Sequence, residues 1–496
     1  MADYDQFPDP TYARTVLAPL FEGAKRFHAG AFEAIDRAHL AMLAETGILP
    51  AADAARIAAA LDQIAAGRDL DAMIYTGEVE DYFFYVEREL KRRLGPDLGG
   101  RLHTARSRND IDHTIFKMAL RARIDALLDQ MRALAGALLA TARRERDTLI
   151  VAYTHGQPAQ PSTFGHYLSA ALEILLRDMK RVENAREIVD LSSMGAAAIT
   201  TTGFPIDRVL VAHLLGFAAP QQNSYSCIAA VDYITATYSA LELPMLHLGR
   251  LVQDLQFWSA FEVGQIHVPD AFVQISSIMP QKRNPVPIEH LRHLASQAAG
   301  RARTQLSIIH NTPFTDMNDS EGETQEAGYA AFDAAERVLS LLTALIPSLS
   351  INAERVAATT ARACITITEL ADTLVRKEGL SFRTAHEIAA ATARAVVADG
   401  SSLDDGYGPF AEAFSRITDR PPVFTPEAFT EAVSARHFVA VRDRFGGPAP
   451  AALDAAFASY DANLADFDSR IATRRATAKA AATELSTRFA RLKEAV

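Results

Sequence analysis

Apolar residues recur at intervals of three and four along almost the whole chain and hardly ever in strict alternation, which predicts a mainly helical protein with few strands. The clearest stripe follows Pro161. Phe164, Tyr167, Leu168, Ala171, Leu172, Leu175, Leu176 and Met179 step along one helix face, and Ser162 stands where a cap belongs. A second segment, from Ala229 to Phe261, exceeds the usual helix length and contains Pro244. The period resumes after it with Met245, Leu248, Leu251, Val252 and Leu255, so the spacing predicts a kink rather than an end. Further stripes run from Asp110 to Arg146, Pro287 to His310 and Gly322 to Leu345. Five long helices predict a bundle, and the width of their stripes suggests burial against other chains as well as their own.

Punctuation divides this pattern. Gly95-Pro96 and Gly99-Gly100 close a smaller helical unit, and after about Ala361 the helices shorten between loops at 400–402, 406–409 and 446–448. The expected fold class is all-α, in three mainly helical domains: 1–108, a central long-helix bundle over 109–362, and 363–496.

With 496 residues, 49% of them hydrophobic, the chain has ample core for a globular enzyme of this layout. A net charge of −11 argues against nucleic acid or a membrane surface as partner, while leaving room for a local cationic pocket. Cys227 and Cys364, the two cysteines, are too far apart in sequence for a disulfide framework or a zinc spacing, and both are expected to be buried. The acidic N-terminus lacks the basic, then apolar pattern of a leader, and no apolar run reaches membrane-spanning length. A reducing, cytoplasmic setting is therefore expected. Neither a metal-ligand cluster nor a Gly-rich phosphate loop nor a nucleotide fingerprint occurs, so no cofactor and no metal are expected.

Three polar clusters interrupt the apolar stripes, each before a helical segment. They are His103-Thr104-Ala105-Arg106-Ser107-Arg108-Asn109-Asp110, Thr154-His155-Gly156-Gln157-Pro158-Ala159-Gln160-Pro161, and Gln274 to Pro287. A helix N-terminus can aim hydroxyls, amides and backbone N–H groups at one anion. In the third cluster Ser276 and Ser277 supply hydroxyls, Lys282 a positive charge and Asn284 a neutral donor, while Pro280 and Pro285 keep a helix from absorbing the loop. Such a loop suits a carboxylate.

These clusters, with Thr202 to Arg208, Asn223-Ser224, Arg376-Lys377, Phe382-Arg383 and His386-Glu387, resemble the signature regions of the argininosuccinate lyase branch of the fumarase/aspartase superfamily in type and order. The resemblance implies reversible anti-elimination across a succinyl group to give fumarate, in a homotetramer whose central helices form one core and whose sites are each built from three chains. It places the general base at Ser276 and the cationic partner at Lys282. His155 serves the leaving amine, and Ser107, Arg108, Asn109, Thr154, Gln157, Ser277, Met279 and Asn284 bind substrate. Arg106 reads as an ion-pairing residue and His103 as a support behind the site.

The chain departs from that branch on the amine side. Argininosuccinate lyases read HTGRSRN, THLQRAQP and a segment like YN(K/R)DLQEDK, where this chain reads HTARSRN, THGQPAQP and DMNDSEGET. Aligned through Pro313, Asp316 replaces the tyrosine, Glu321 the glutamine and Thr324 the lysine that hold the arginine end. These changes point to an N-substituted aspartate other than argininosuccinate, of the aminopolycarboxylate kind that ethylenediamine-N,N′-disuccinate (EDDS) lyase takes. Argininosuccinate itself is the alternative substrate, and a non-catalytic structural protein on the same scaffold is the alternative outside catalysis.

Overall fold

The computed structural model describes residues 7–494; the first six residues, read above as part of an acidic N-terminus, lie outside them. Helices α1 (Ala29–Glu45), α2 (Ala51–Gly67) and α3 (Tyr82–Leu94) lead into α4 (Arg108–Arg144), the first long rod. At its end a hairpin of β1 (Leu149–Thr154) and β2 (Gln157–Thr163) turns the chain into α5 (Phe164–Val189). Helix α6 (Asp232–Ser259) returns, a small hairpin of β3 (Gln274–Ile275) and β4 (Arg283–Asn284) follows, and α7 (Val286–Ile308) and α8 (Gly322–Leu345) complete five long helices. The all-α bundle expected from the spacing is therefore the observed fold.

The turn from α4 to α5 is tight: Phe164 N donates to Thr148 O at 2.8 Å and Gly165 N to Glu145 O at 2.9 Å. Any Cβ on Gly165 would lie 2.5 Å from Ala142 O, so only glycine lets the two helices meet there. Between the helices Leu120, Leu128, Met131, Leu168, Leu172, Ile234, Leu241 and Leu339 are fully or almost fully buried in one continuous core.

Three expectations need correcting. Thr163, not Ser162, caps α5 by accepting from His166 N at 3.0 Å, while Ser162 Oγ pairs with His166 Nδ1 at 2.9 Å. The Ala229–Phe261 stretch is not one helix, because a short helix ends at Ala229, Ala230 is extended, and α6 starts at Asp232. Pro244 does lie inside α6, which continues to Ser259. Nor do the helices simply shorten after 361: the last one, α9 (Pro450–Glu494), has 45 residues. Its buried positions, Leu453, Phe457, Leu464, Phe467, Ile471, Leu485 and Phe489, belong to the main core. Wide spacing among alanines and charges dilutes that stripe. Ion pairs fasten it, Asp468 to Arg132 and Asp454 to Arg146 at 2.8 Å and Arg470 to Glu183 at 2.8 Å. Residues 364–433 gather a separate core around Leu370, Leu374, Ile388, Phe410, Phe414 and Phe429. Among the described residues no helix is long and apolar enough to cross a membrane.

Candidate active site

The first polar cluster lies where a short turn, Arg101–His103, hands over to α4. Ala105 has φ +64°, a left-handed conformation that costs an L side chain roughly 1 kcal/mol and glycine almost nothing. Ala105→Gly is expected to stabilise the fold by up to about 1 kcal/mol, less the entropy that glycine adds to the unfolded chain. A urea titration of both forms checks the sign. Arg106 donates to Asp36 at 2.6 Å in a buried pair, and His103 packs on the Phe83 ring at 5.2 Å.

Ser107 caps α4 reciprocally with Asp110: Asn109 N donates to Ser107 Oγ at 3.4 Å and Ser107 N to Asp110 Oδ1 at 2.9 Å. Asp110 is wholly buried, and its Oδ2 also accepts from Gly195 N and Ala197 N at 2.9 Å each. Burial pushes its carboxyl up to about 6, against the pull of these three backbone donors. The residue thus ties the cluster to the 193–202 loop, a role that reading the cluster as a ligand shell missed; the Ser-x-x-Asp spacing was its signal. Asp110→Ala orphans three N–H groups and is expected to cost about 3 kcal/mol, seen as a lower thermal midpoint. Lys117, also missed, is buried one face further along and donates to Ser193 Oγ at 3.0 Å and Gln221 Oε1 at 2.7 Å. Burial lowers its pKa to about 8.

Asn109 Nδ2 donates to Ala198 O at 3.2 Å. Arg108 Nη1 lies 2.9 Å from Glu80 and 3.2 Å from Asp81. Burial works against its charge, but Asp81 and Glu80 outweigh it and hold the guanidinium above its ordinary pKa. The arginine expected to clamp a substrate carboxylate is already matched by two of the chain's own. Asp112, one turn on along α4, and Asp316 and Glu321, before α8, join this group.

The second cluster forms the tip of the β1–β2 hairpin rather than a helix N-terminus. Thr154 pairs with Gln157, and His155 and Gly156 between them have φ +53° and +71°, as a two-residue turn of this hand requires. All four residues are exposed, so the turn presents the His155 imidazole to solvent beyond the bundle.

The third cluster is the β3–β4 loop, with Gln274 paired to Asn284 and Ile275 to Arg283. Arg283 anchors its stem by donating to Val268 O at 2.7 Å and pairing with Asp270. Inside the loop Ser276 Oγ accepts from Ile278 N at 3.4 Å and Met279 N at 3.1 Å. Donors of that kind favour an alkoxide over a hydroxyl. Lys282 is exposed and makes no ion pair among the described residues, Ser277 is exposed, and Ile275 and Ile278 stand about 80% free.

The chain does not gather its own clusters. Gln265 accepts from Val151 N at 2.8 Å and donates to Val151 O at 3.2 Å, which puts the stems of the His155 hairpin and the Ser276 loop at one end of the bundle. Ser107, Arg108 and Asn109 begin α4 at the other end. Its 37 residues separate the two ends by about 55 Å at 1.5 Å per residue.

A lyase family model matches residues 25–300, and a model of the argininosuccinate lyase C-terminal region matches 364–440. Argininosuccinate lyase 2 of Agrobacterium fabrum is 63% identical over 494 residues, 99% of this chain and 98% of that one. The chain belongs to the argininosuccinate lyase branch of the fumarase/aspartase superfamily. Another member of the branch, argininosuccinate lyase of Methanothrix thermoacetophila, is 36% identical over 89% of each chain. Among solved structures, EDDS lyase in complex with formate superposes with a TM-score of 0.85 at 28% identity over 98% of this chain and 99% of that one, and so does an EDDS lyase variant with bound fumarate. The enzyme is thus a carbon–nitrogen lyase, acting on an aspartate-derived substrate to release fumarate.

Proposed function

We propose that the enzyme catalyses reversible anti-elimination of an amine from an N-substituted aspartate other than argininosuccinate, with Ser276 as general base. The observation that carries this reading is the pair of backbone N–H groups aimed at Ser276 Oγ in a loop that also holds Lys282. In the reaction the base takes a proton from the carbon next to a carboxylate, the C–H electron pair becomes the C=C bond of fumarate, and the C–N pair leaves with the amine. Such a proton is accessible only if the carboxylate is stabilised as its doubly charged aci form, which Lys282, Asn284 and loop N–H groups can supply. His155 is suited to protonate the leaving nitrogen directly or through a water. Thr154, Gln157, Ser107, Asn109, Ser277 and Met279 hold the succinyl part, and Arg108 does so by sharing its guanidinium.

The 55 Å between clusters and the bare apolar residues of the serine loop support a homotetramer in which copies complete one another's sites. The three-part division at 108 and 362 and a cytoplasmic setting belong to the same reading. For the amine, replacement of all three residues that hold the arginine end in the family favours an EDDS-type diamine. Argininosuccinate is the second reading, favoured by the name of the 63% identical relative. An NMR comparison of fumarate with ethylenediamine and fumarate with arginine tests both. An adduct with the diamine alone is the expected result, and argininosuccinate from arginine would reverse the order.

A further inference from the structure

We propose that Gln265 is a positioning residue for the elimination: its buried side-chain amide locks the His155 hairpin to the stem of the Ser276 loop, so that one clasp holds both groups in place. The inference rests on the roles of Ser276 and His155 proposed above.

A glutamine side chain ends in the same donor and acceptor as a peptide unit, so it can stand in for a strand residue where no strand is available. Val151 needs such a substitute. It faces Pro161 across the hairpin, and proline has no N–H to give. Val151 is fully buried, and its N–H and C=O both turn to Gln265, the first donating to Oε1 at 2.8 Å and the second accepting from Nε2 at 3.2 Å. Gln265 itself is 2% exposed. Gly264, at φ +57°, turns the chain after α6 so that Gln265 N donates to Trp258 O at 2.9 Å, while Gln265 O accepts from Asn352 N at 2.8 Å. The hairpin, the end of α6 and the 350–352 segment thus meet on one residue sheltered from water.

From this clasp the chain runs to both groups over short, tied paths. Ile266 and His267 pair with Ile351 and Ser350, and Val268 O accepts at 2.7 Å from Arg283, which is itself paired with Ile275, the neighbour of Ser276. On the hairpin side Tyr153 sets its ring edge-on against Phe257 at 5.3 Å, and His155 follows shortly after. His155 stands four residues beyond Val151, about 13 Å at the rise of a strand, so a tilt of about 10° at the clasp moves the imidazole by about 2 Å. A misplacement of about 1 Å can cost about a hundredfold in rate. A buried amide outside all three polar clusters therefore governs the chemistry they perform.

The test compares the intact wild-type assembly with Gln265→Leu, Gln265→Glu and Ser276→Ala, at a temperature well below the thermal midpoint of each. Hydrogen–deuterium exchange needs no substrate. Gln265→Leu, which keeps the bulk and removes the amide, is expected to raise exchange in 149–163 and in 274–284 together, with 108–144 unchanged. Faster exchange confined to the hairpin, or none, would overturn the inference. Fumarate release from ethylenediamine-N,N′-disuccinate or argininosuccinate, whichever the wild type turns over faster, should fall about a hundredfold in kcat for Gln265→Leu. In Gln265→Glu the neutral acid can donate to Val151 O and accept from Val151 N as the amide does, whereas the carboxylate has no donor. Burial beside a carbonyl oxygen raises the pKa of such an acid, so its kcat relative to wild type should climb as pH falls and exceed that of Gln265→Leu at the acid end. Turnover within about threefold of wild type in Gln265→Leu, or turnover in Gln265→Glu as low as in Gln265→Leu at every pH, would also overturn it. The proposed base is judged separately. An active Ser276→Ala would sink that reading, and an inactive Ser276→Ala beside an active Gln265→Leu would sink the positioning role alone.

Discussion

Ser276→Ala is expected to lower kcat by about a thousandfold, the middle of the range that loss of a positioned general base produces. No other side chain in the β3–β4 loop can take its place: Lys282 is a cation, and Ser277 lacks the two N–H donors that converge on Ser276 Oγ. The fold should hardly notice, because the residue is half-exposed and its hydrogen bonds among the described residues are to its own loop. An unchanged thermal midpoint together with the lost turnover would separate chemistry from damage. Steady-state fumarate release makes the measurement, and a variant within tenfold of the wild type would move the base elsewhere.

The second large effect is a gain. Asn109→Ala and Ser276→Ala are each expected to be nearly inactive alone, yet tetramers refolded from an equal mixture should regain about a quarter of wild-type activity if assembly is random. In the proposed assembly each site takes Asn109 from one copy and Ser276 from another, and each is intact in half the chains. The arithmetic follows from the helix that separates them: if one copy could close its own site, mixing two dead chains would restore nothing. Activity of the mixture against either parent, at matched concentration, decides between the two.

The long helices were legible in the sequence because their stripes are dense and their interruptions few, as at Phe164 to Met179. The last helix was not, since Leu453, Phe457 and Leu464 are spread among alanines and exposed charges, and a sparse stripe resembles a surface segment. Thr154 to Gln157 could be picked out by composition as candidate site residues, but not as a hairpin tip, because a histidine at φ +53° gives no sign of itself in a one-letter string. Asp110 shows a related limit: its neighbour Asp112 has the same charge and adjoins the same cluster, and only tertiary contacts make one a tether to the 193–202 loop and the other part of an acidic group. Distance was the least legible of all. Clusters adjacent in purpose proved to lie at opposite ends of one molecule.

Helix α4 therefore works as a gauge block. Adding one residue anywhere between Arg108 and Arg144 would lengthen it by about 1.5 Å and turn everything beyond by about 100°. In the proposed assembly that would detune every site, whereas an insertion in the 314–320 segment would alter only the proposed seat of the amine half. The geometry thus leaves that segment freer to change than the residue count of the rod.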